Sequence, residues 1–149
     1  MTYDADVRRG ARALLLDRED RILLVHRVKQ GSEYFPTVGG GIDPEDRTPE
    51  DAMRREAFEE MGAVVGPARL IFLSTAVHQE RLAVQYFFLA RLITMNYDVR
   101  SDPPVAAGER HDPYWTSWNE LADLDLRPPE LKDYLVTNSV VLREIARTL

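Results

Sequence analysis

The chain has 149 residues, a formal net charge of −6 and a hydrophobic fraction of 44%. This length fits one domain over residues 1–149, and the absence of cysteine excludes disulfides, thiolate catalysis and cysteine-ligated zinc or iron–sulfur sites. Short apolar runs, an N-terminus without a signal core and the acidic charge predict a cytoplasmic protein with no membrane or nucleic-acid partner.

The predicted secondary structure alternates hairpins with helices. Runs of β-branched and aromatic residues predict the strands, Gly and Pro mark the turns, and an apolar period near 3.6 predicts the helices. In chain order the predictions are strands at 9–16 and 21–28, a loop at 30–36, a helix at 48–62, strands at 68–77 and 82–94, a polar loop, a strand at 114–118, a short helix to 124 and a helical segment at 128–149. This order predicts the α/β (α+β) class, with a mixed sheet between helices.

Local signals define the predicted helix ends. Thr48 is a good N-cap, Asp51 stands where a capping-box acid belongs, and Gly62 is expected to close the helix. Ser117 with Glu120 predicts a second capping box. The buried stripe of the C-terminal helices is predicted to comprise Leu131, Tyr134, Leu135, Val141, Leu142 and Ile145.

The helix at 48–62 carries three carboxylates on one turn. Glu56, Glu59 and Glu60 fall on a stripe roughly 100° wide, and like charges at this spacing cost about 0.2–0.5 kcal/mol per pair. Arg55 alone cannot neutralise three acids, and clustered oxygen ligands suit Mg²⁺ or Mn²⁺. An apolar stripe beside the acids is predicted to dock the helix on the sheet: Met53, Ala57, Met61 and Val64.

A solvated acidic helix face is the alternative interpretation of these charges. The triple glycine Gly39-Gly40-Gly41 lies just upstream, permits close backbone approach and leaves main-chain carbonyls available as ligands. The two features together favour a loop–helix metal site for phosphate chemistry.

Residues 39–63 resemble the Nudix box, whose helix reads Arg-Glu-U-x-Glu-Glu-x-Gly-U, where U is a bulky aliphatic residue. The preceding loop has one extra residue here, so that Asp46 stands in for the first glutamate of the family pattern. The similarity extends over residues 8–135 and implies the Nudix α/β/α sandwich. Five positions match the helix pattern at its spacing: Arg55, Glu56, Glu59, Glu60 and Gly62.

The resemblance implies a hydrolase that cleaves a nucleoside diphosphate linked to another group, by attack of water on phosphorus. By position, Arg55 would hold one of the box glutamates in place. Mg²⁺ or Mn²⁺ ions would be bound by Glu56, Glu59, Glu60 and the carbonyl of Gly39.

The general base and the substrate contacts stay open at this point. The base implied by the resemblance is Glu56 or Glu59 in the helix, or Glu109 on a distant loop, with Glu80 as a weaker alternative. A solvated loop acid is the competing interpretation of Glu109. Arg27 and Lys29 are predicted to contact the diphosphate, with a surface role as the alternative for Lys29, and Tyr34 is predicted to stack on a base.

Two other function classes are alternatives to the enzyme. A Nudix-fold module that senses a nucleotide or ADP-ribose usually lacks box glutamates, which this chain keeps. A calcium site without chemistry would show the alternating loop ligands of an EF-hand, and that spacing is absent. The substrate is expected to be a nucleotide-derived small molecule, and a homodimer is left open because many members of the family form one.

Overall fold

The computed structural model describes residues 7–149, so the prediction that the N-terminus lacks a signal core falls partly outside it. The strands are β1 (Val7–Leu16), β2 (Ile22–Lys29), β3 (Ser32–Pro36), β4 (Val38–Gly41), β5 (Ala63–His78), β6 (Arg81–Met95), β7 (Arg110–Thr116) and β8 (Leu126–Arg127). The helices are α1 (Pro49–Met61), α2 (Pro129–Thr137) and α3 (Ser139–Arg147), with short 3-10 helices at Tyr97–Val99 and Trp118–Asp123. None of the helices described within 7–149 combines the length and apolarity needed to span a bilayer.

The strands form one mixed sheet in the order β5-β6-β1-β2-β3-β8, with β4 added to β1 and β7 added to β2. The pairs β1–β6 and β3–β8 are parallel. The remaining strand pairs are antiparallel. The predicted mixed sheet is therefore confirmed.

Side chains of the central strands point alternately to the two faces of the sheet and pack in two separate cores. On one face, Ala11, Ala13 and Leu15 of β1 pack with buried residues of α1. On the other face, Leu14 and Leu16 pack with buried residues of α2 and α3. Helices thus cover both faces, as expected for an α/β/α sandwich.

The prediction of a loop at 30–36 is wrong, because most of this segment is strand β3. Gln30 and Gly31 have positive φ angles of 51° and 78° and form a two-residue turn. The turn brings Ser32 opposite Lys29 and starts an antiparallel pair with β2. The polar residues at the start of β3 concealed the strand from the sequence pattern.

The predicted ends of the long helix are confirmed. The hydroxyl of Thr48 accepts a hydrogen bond from the Asp51 N–H at 3.0 Å. Gly62 takes the left-handed conformation, with φ 62°, and its N–H donates to the carbonyl of Phe58 at 2.8 Å.

The prediction of a second capping box, formed by Ser117 and Glu120, is wrong. Ser117 precedes a 3-10 helix, and its side chain makes no capping hydrogen bond. Glu120 instead accepts from the hydroxyl of Thr116 at 3.4 Å.

Two members of the predicted apolar stripes are exposed. Val64 is 42% exposed because it follows Gly62 and belongs to β5 rather than to α1. Val141 is 60% exposed because α2 ends before Asn138 and a separate helix, α3, begins at Ser139 with its own buried face. Leu142 and Ala146 form the buried side of α3.

Candidate active site

α1 turns its apolar stripe to the sheet and its acids towards the glycine strand β4. Its buried residues include Met53 and Ala57, which pack in the core against β1 and β2. The three glutamates differ in exposure, since Glu60 is 8% exposed while the side chains of Glu56 and Glu59 are 18% and 36% exposed. The helix therefore presents one nearly buried acid and two that are partly exposed to solvent.

The glycines of β4 let these carboxylates lie directly against the backbone. Gly39 has φ +145°, and a Cβ there would lie 2.4 Å from the carbonyl oxygen of Ala11. Its N–H donates to Oε1 of Glu60 at 3.0 Å. A Cβ on Gly40 would lie 2.4 Å from Oε2 of Glu56. A side chain at either position would displace the backbone or a glutamate.

Arg55 is the cation at the centre of this arrangement. Its Nη1 donates to Glu56 at 3.1 Å and to Glu59 at 3.0 Å. Its Nε and Nη2 donate to the two carboxylate oxygens of Asp46 at 3.1 and 2.9 Å, and Nη2 also donates to the carbonyl of Gly41 at 3.0 Å. The hydrogen bonds to Asp46 and then to Glu56 raise the pKa of Arg55, so the guanidinium stays charged. One side chain thus joins the helix acids to the loop between β4 and α1.

Asp46 stabilises the loop between β4 and α1, which is one residue longer than in the family pattern. Its carboxylate binds Arg55 and also accepts from the N–H of Asp43 at 2.8 Å. These contacts, the Arg55 hydrogen bond first, hold the pKa of Asp46 below its ordinary value of 3.8. The aspartate therefore braces the loop while it remains ionised.

Replacing Asp46 with asparagine is expected to destabilise the protein at pH 7 by about 1 kcal/mol, because it removes a charged hydrogen-bond partner of Arg55. A carboxylate with a lowered pKa stabilises the fold above pH 3.8, and that contribution is lost as the pH falls through the lowered pKa. The difference in unfolding free energy between wild type and Asp46→Asn, measured in urea, should therefore shrink below pH 3.8. A difference that does not change with pH would contradict this role.

A fourth carboxylate reaches the acids from the loop that precedes β7. The backbone N–H of Asp102 donates to the carbonyl of Glu59 at 3.1 Å, which ties this loop to the end of α1. From β7, Nε2 of His111 lies 3.0 Å from Oε2 of Glu60. Glu60 is thus held by a backbone N–H on one oxygen and an imidazole on the other.

The site carries more negative charge than its cations balance. Burial raises the pKa of Glu56, the charges of Glu59 and Asp102 raise it further, and Arg55 opposes them. Burial, Glu60 and Glu59 likewise raise the pKa of Asp102. Carboxylates that resist ionisation because they are buried and, secondarily, because they repel one another would be stabilised in their charged form by an additional cation.

The donor chemistry fits a divalent cation of the Mg²⁺ type. Among residues 7–149, no group of three or more His, Cys, Asp or Glu side chains already has the arrangement of a metal site. The contacts account for this, because Arg55 engages Glu56 and Glu59 while Gly39 and His111 engage Glu60. Carboxylate and backbone oxygens are the donors that Mg²⁺ and Mn²⁺ prefer.

Of the three predicted substrate contacts, one shares a hollow with the acidic residues of the loop that precedes β7. Arg27 lines a hollow of about 350 Å³ together with Asp102, Glu109 and His111, and its Nη2 lies 3.8 Å from Glu109. Lys29 and Tyr34 do not line this hollow. Lys29 is exposed at the end of β2, and the ring of Tyr34 is covered by the guanidinium of Arg127 at 4.6 Å.

The sequence predicted no site role for Asp102 or Arg12, and for His111 only a position on a loop that could reach the cleft. Asp102 lies in a proline-containing loop with no periodic pattern, and His111 has no metal-ligand spacing to another histidine. Arg12 lies on β1, where burial lowers its pKa and the nearby charges of Glu60 and Glu56 raise it. These residues meet the acids only through strand pairing and loop packing, which no local sequence signal indicates.

Comparison with known proteins identifies the family to which the chain belongs. A family model described as the NUDIX domain matches residues 6–135. The RNA pyrophosphohydrolase of Pseudomonas fluorescens (strain SBW25) is 31% identical over 120 residues, which cover 68% of this chain and 74% of that protein.

Two solved structures share the fold. The NUDIX hydrolase from Nitrosomonas europaea has a TM-score of 0.68 at 18% identity, covering 93% of this chain and 88% of that chain. The ORF135 protein of E. coli has a TM-score of 0.63 at 21% identity, covering 92% and 91%. The family match, the relative and the shared fold agree, and the chain belongs to the NUDIX domain family.

Proposed function

We propose that this protein is a Mg²⁺-dependent pyrophosphohydrolase that cleaves the diphosphate linkage of a nucleoside diphosphate derivative. The observation that supports this most strongly is the cluster of three glutamates on α1. The cluster lies against the glycine strand β4, and Arg55 donates hydrogen bonds to two of its members. Relatives named RNA pyrophosphohydrolase support hydrolysis of a phosphate anhydride. A cytoplasmic location fits a nucleotide-derived small-molecule substrate.

Each residue of the site has a proposed role. Glu56, Glu59, Glu60 and the carbonyl of Gly39 would hold the cation, which when bound neutralises phosphate charge and lowers the pKa of a water molecule. Arg55 positions Glu56 and Glu59 through its two hydrogen bonds from Nη1. Arg27 lines the hollow that also contains Asp102, Glu109 and His111, and is placed there to bind a phosphate oxygen.

Glu109 is proposed as the general base that takes the proton of the attacking water. Its carboxylate lines the hollow beside Asp102, and Arg27 keeps it oriented at 3.8 Å. The mutation Glu109→Gln is expected to lower kcat at least about tenfold with little change in stability. Steady-state kinetics of Glu109→Gln beside Glu80→Gln, an exposed acid in the β5–β6 turn, would test this role.

Asp102 is the rival for the same role. Wild-type kcat in Glu109→Gln, together with a large loss in Asp102→Asn, would contradict the assignment of Glu109. The proton acceptor would then lie on the loop that contacts the end of α1.

The proposed function is tested by turnover across a substrate panel. Phosphate and nucleotide release would be measured with Mg²⁺, with Mn²⁺ and with a chelator, for canonical and oxidised nucleoside triphosphates, nucleotide sugars, ADP-ribose, dinucleoside polyphosphates and 5′-triphosphorylated RNA. Metal-dependent cleavage of one class is the expected result. Tight binding of a panel member without turnover would overturn the proposal in favour of a nucleotide sensor.

A further inference from the structure

The short 3-10 helix at Tyr97–Val99 lies directly against the end of α1. The N–H of Asn96 donates to the carbonyl of Gly62 at 3.0 Å. A Cβ on Gly62 would overlap the carbonyl of Asn96 and come within 3.1 Å of Cγ2 of Val99. Gly62 is therefore needed for this close contact as well as for the left-handed turn that ends α1.

The loop that follows this 3-10 helix is bonded to the same end of α1. Ser101 and Asp102 both donate from their backbone N–H groups to the carbonyl of Glu59, at 2.9 and 3.1 Å. Carbonyls in the last turn of a helix have no partner within the helix, and these two amides satisfy one of them. The segment from Asn96 to Asp102 thus keeps a fixed position relative to the helix that carries the acids.

Tyr97 extends from this segment to strand β7. Its hydroxyl donates to the backbone carbonyl of His111 at 2.6 Å. Burial raises the pKa of Tyr97, so the hydroxyl remains protonated and able to donate. The hydrogen bond from Tyr97 therefore joins the segment held by α1 to the start of β7.

Arg100 restricts the orientation of Tyr97. The guanidinium of Arg100 lies over the phenol ring, 3.9 Å from its centroid, and Nη1 donates to the carbonyl of Tyr97 at 2.9 Å. The attraction between a cation and the face of an aromatic ring adds to the hydrogen bond. Together the two contacts hold both the ring and the backbone of Tyr97.

The start of β7 carries groups that act in the proposed reaction. His111, whose carbonyl accepts from Tyr97, has its Nε2 at 3.0 Å from Oε2 of Glu60. Glu109 lies two residues earlier in the chain and lines the hollow with Arg27. A shift of the backbone at His111 would therefore move both the imidazole that contacts Glu60 and the carboxylate of Glu109.

We propose that Tyr97 is a positioning residue for the hydrolysis. Its hydroxyl fixes the start of β7, and with it Glu109 and His111, relative to the glutamates of α1, and Arg100 acts through Tyr97. The inference rests on the proposed function, because it concerns the distance between the proton acceptor and the metal-binding acids. The alternative is that the phenol ring only fills space at the edge of the core against which it packs.

The first measurement is amide hydrogen exchange by NMR in EDTA, which requires neither metal nor turnover. Tyr97→Phe keeps the ring and removes only the hydroxyl, and should raise the exchange rates of residues 110–112 at least about threefold. The matched control is Tyr86→Phe, which makes the same change in a tyrosine of β6 that packs against the same core. Because β6 pairs with β1 and β5, the control should exchange as wild type. Equal exchange rates in Tyr97→Phe and wild type would overturn the proposal.

The kinetic arm measures kcat and KM on a substrate that the panel identifies. Tyr97→Phe should lower kcat about tenfold and change KM less than about twofold, because the proton acceptor moves while the substrate contact on β2 stays in place. Arg100→Met should lower kcat to a similar extent, and the double variant should lose no more than either single variant. Tyr86→Phe should keep the wild-type kcat.

Two kinetic results would contradict this role of Tyr97. Wild-type kcat in Tyr97→Phe would show that the ring only packs, and additive losses in the double variant would show that Arg100 does not act through Tyr97. If wild type turns over nothing, the proposed function fails, and the exchange rates alone decide whether Tyr97 positions the start of β7.

Discussion

Replacing Glu59 with glutamine is expected to abolish turnover while the fold stays intact. The change keeps the size of the side chain but removes one negative charge from the cluster of α1 glutamates that would hold the cation. Loss of several kcal/mol of metal stabilisation corresponds to at least about a hundredfold in kcat/KM. The side chain is 36% exposed and binds Arg55 alone among the described side chains, so the unfolding free energy should change little.

Glu60→Gln should lose activity to a similar extent, with an added cost in stability. One oxygen of Glu60 accepts from Gly39 and the other lies against Nε2 of His111, so a glutamine could keep both contacts only if His111 changed its tautomer. Kinetics and urea unfolding of both variants would separate the two effects. The matched control is Glu50→Gln, on the first turn of α1, where the side chain pairs with Arg54 and should leave turnover unchanged. Wild-type activity in both Glu59→Gln and Glu60→Gln would show that the assigned site is wrong.

A single methyl group on Gly40 is expected to eliminate most activity without unfolding the protein. The Cβ of Gly40→Ala would lie 2.4 Å from Oε2 of Glu56, and the end of that flexible side chain can move aside. The displaced carboxylate would no longer be placed to bind a cation, and we expect a loss of about a hundredfold in kcat/KM. Mg²⁺ affinity, kcat and the unfolding free energy should be measured together, because only the first two are expected to change strongly.

The neighbouring glycines provide matched controls for this variant. Gly41→Ala adds the same methyl group where no atom lies within 4 Å, and should keep the Mg²⁺ affinity of wild type. Gly39→Ala should instead destabilise the fold, because its Cβ would meet the Ala11 carbonyl at 2.4 Å and its φ is +145°. Equal Mg²⁺ affinities of Gly40→Ala and wild type would contradict the role of Gly40 in shaping the site.

Short-range chemistry made part of the fold predictable. The N-cap at Thr48 and the left-handed Gly62 follow from residues within one or two turns, and both were confirmed. Strand β3 escaped prediction because its pairing depends on the turn at Gln30 and Gly31, not on an apolar pattern. The prediction that Val141 is buried was wrong because a new helix begins after Asn138 and turns Val141 away from the core.

The residues of the candidate site likewise fall into those that the local sequence predicted and those that only the tertiary structure brings together. The acids of α1 and Arg55 were identified because a helix places such spacings on one face, and Asp46 was identified from its place in the family pattern that the chain resembles. Asp102, His111 and Arg12 join them from three separate elements. Their approach depends on the loop bound to the end of α1 and on the pairing of β7 with β2, which are tertiary features.

The measurement that tests the central claim most directly is paramagnetic broadening by substoichiometric Mn²⁺ in the amide NMR spectrum. If the α1 carboxylates hold the catalytic cation, the amides of Gly39, Gly40 and Glu60 should broaden first, Mg²⁺ should reverse the effect, and Glu59→Gln should weaken it. Broadening centred elsewhere, or an unchanged pattern in Glu59→Gln, would contradict the assignment of this site.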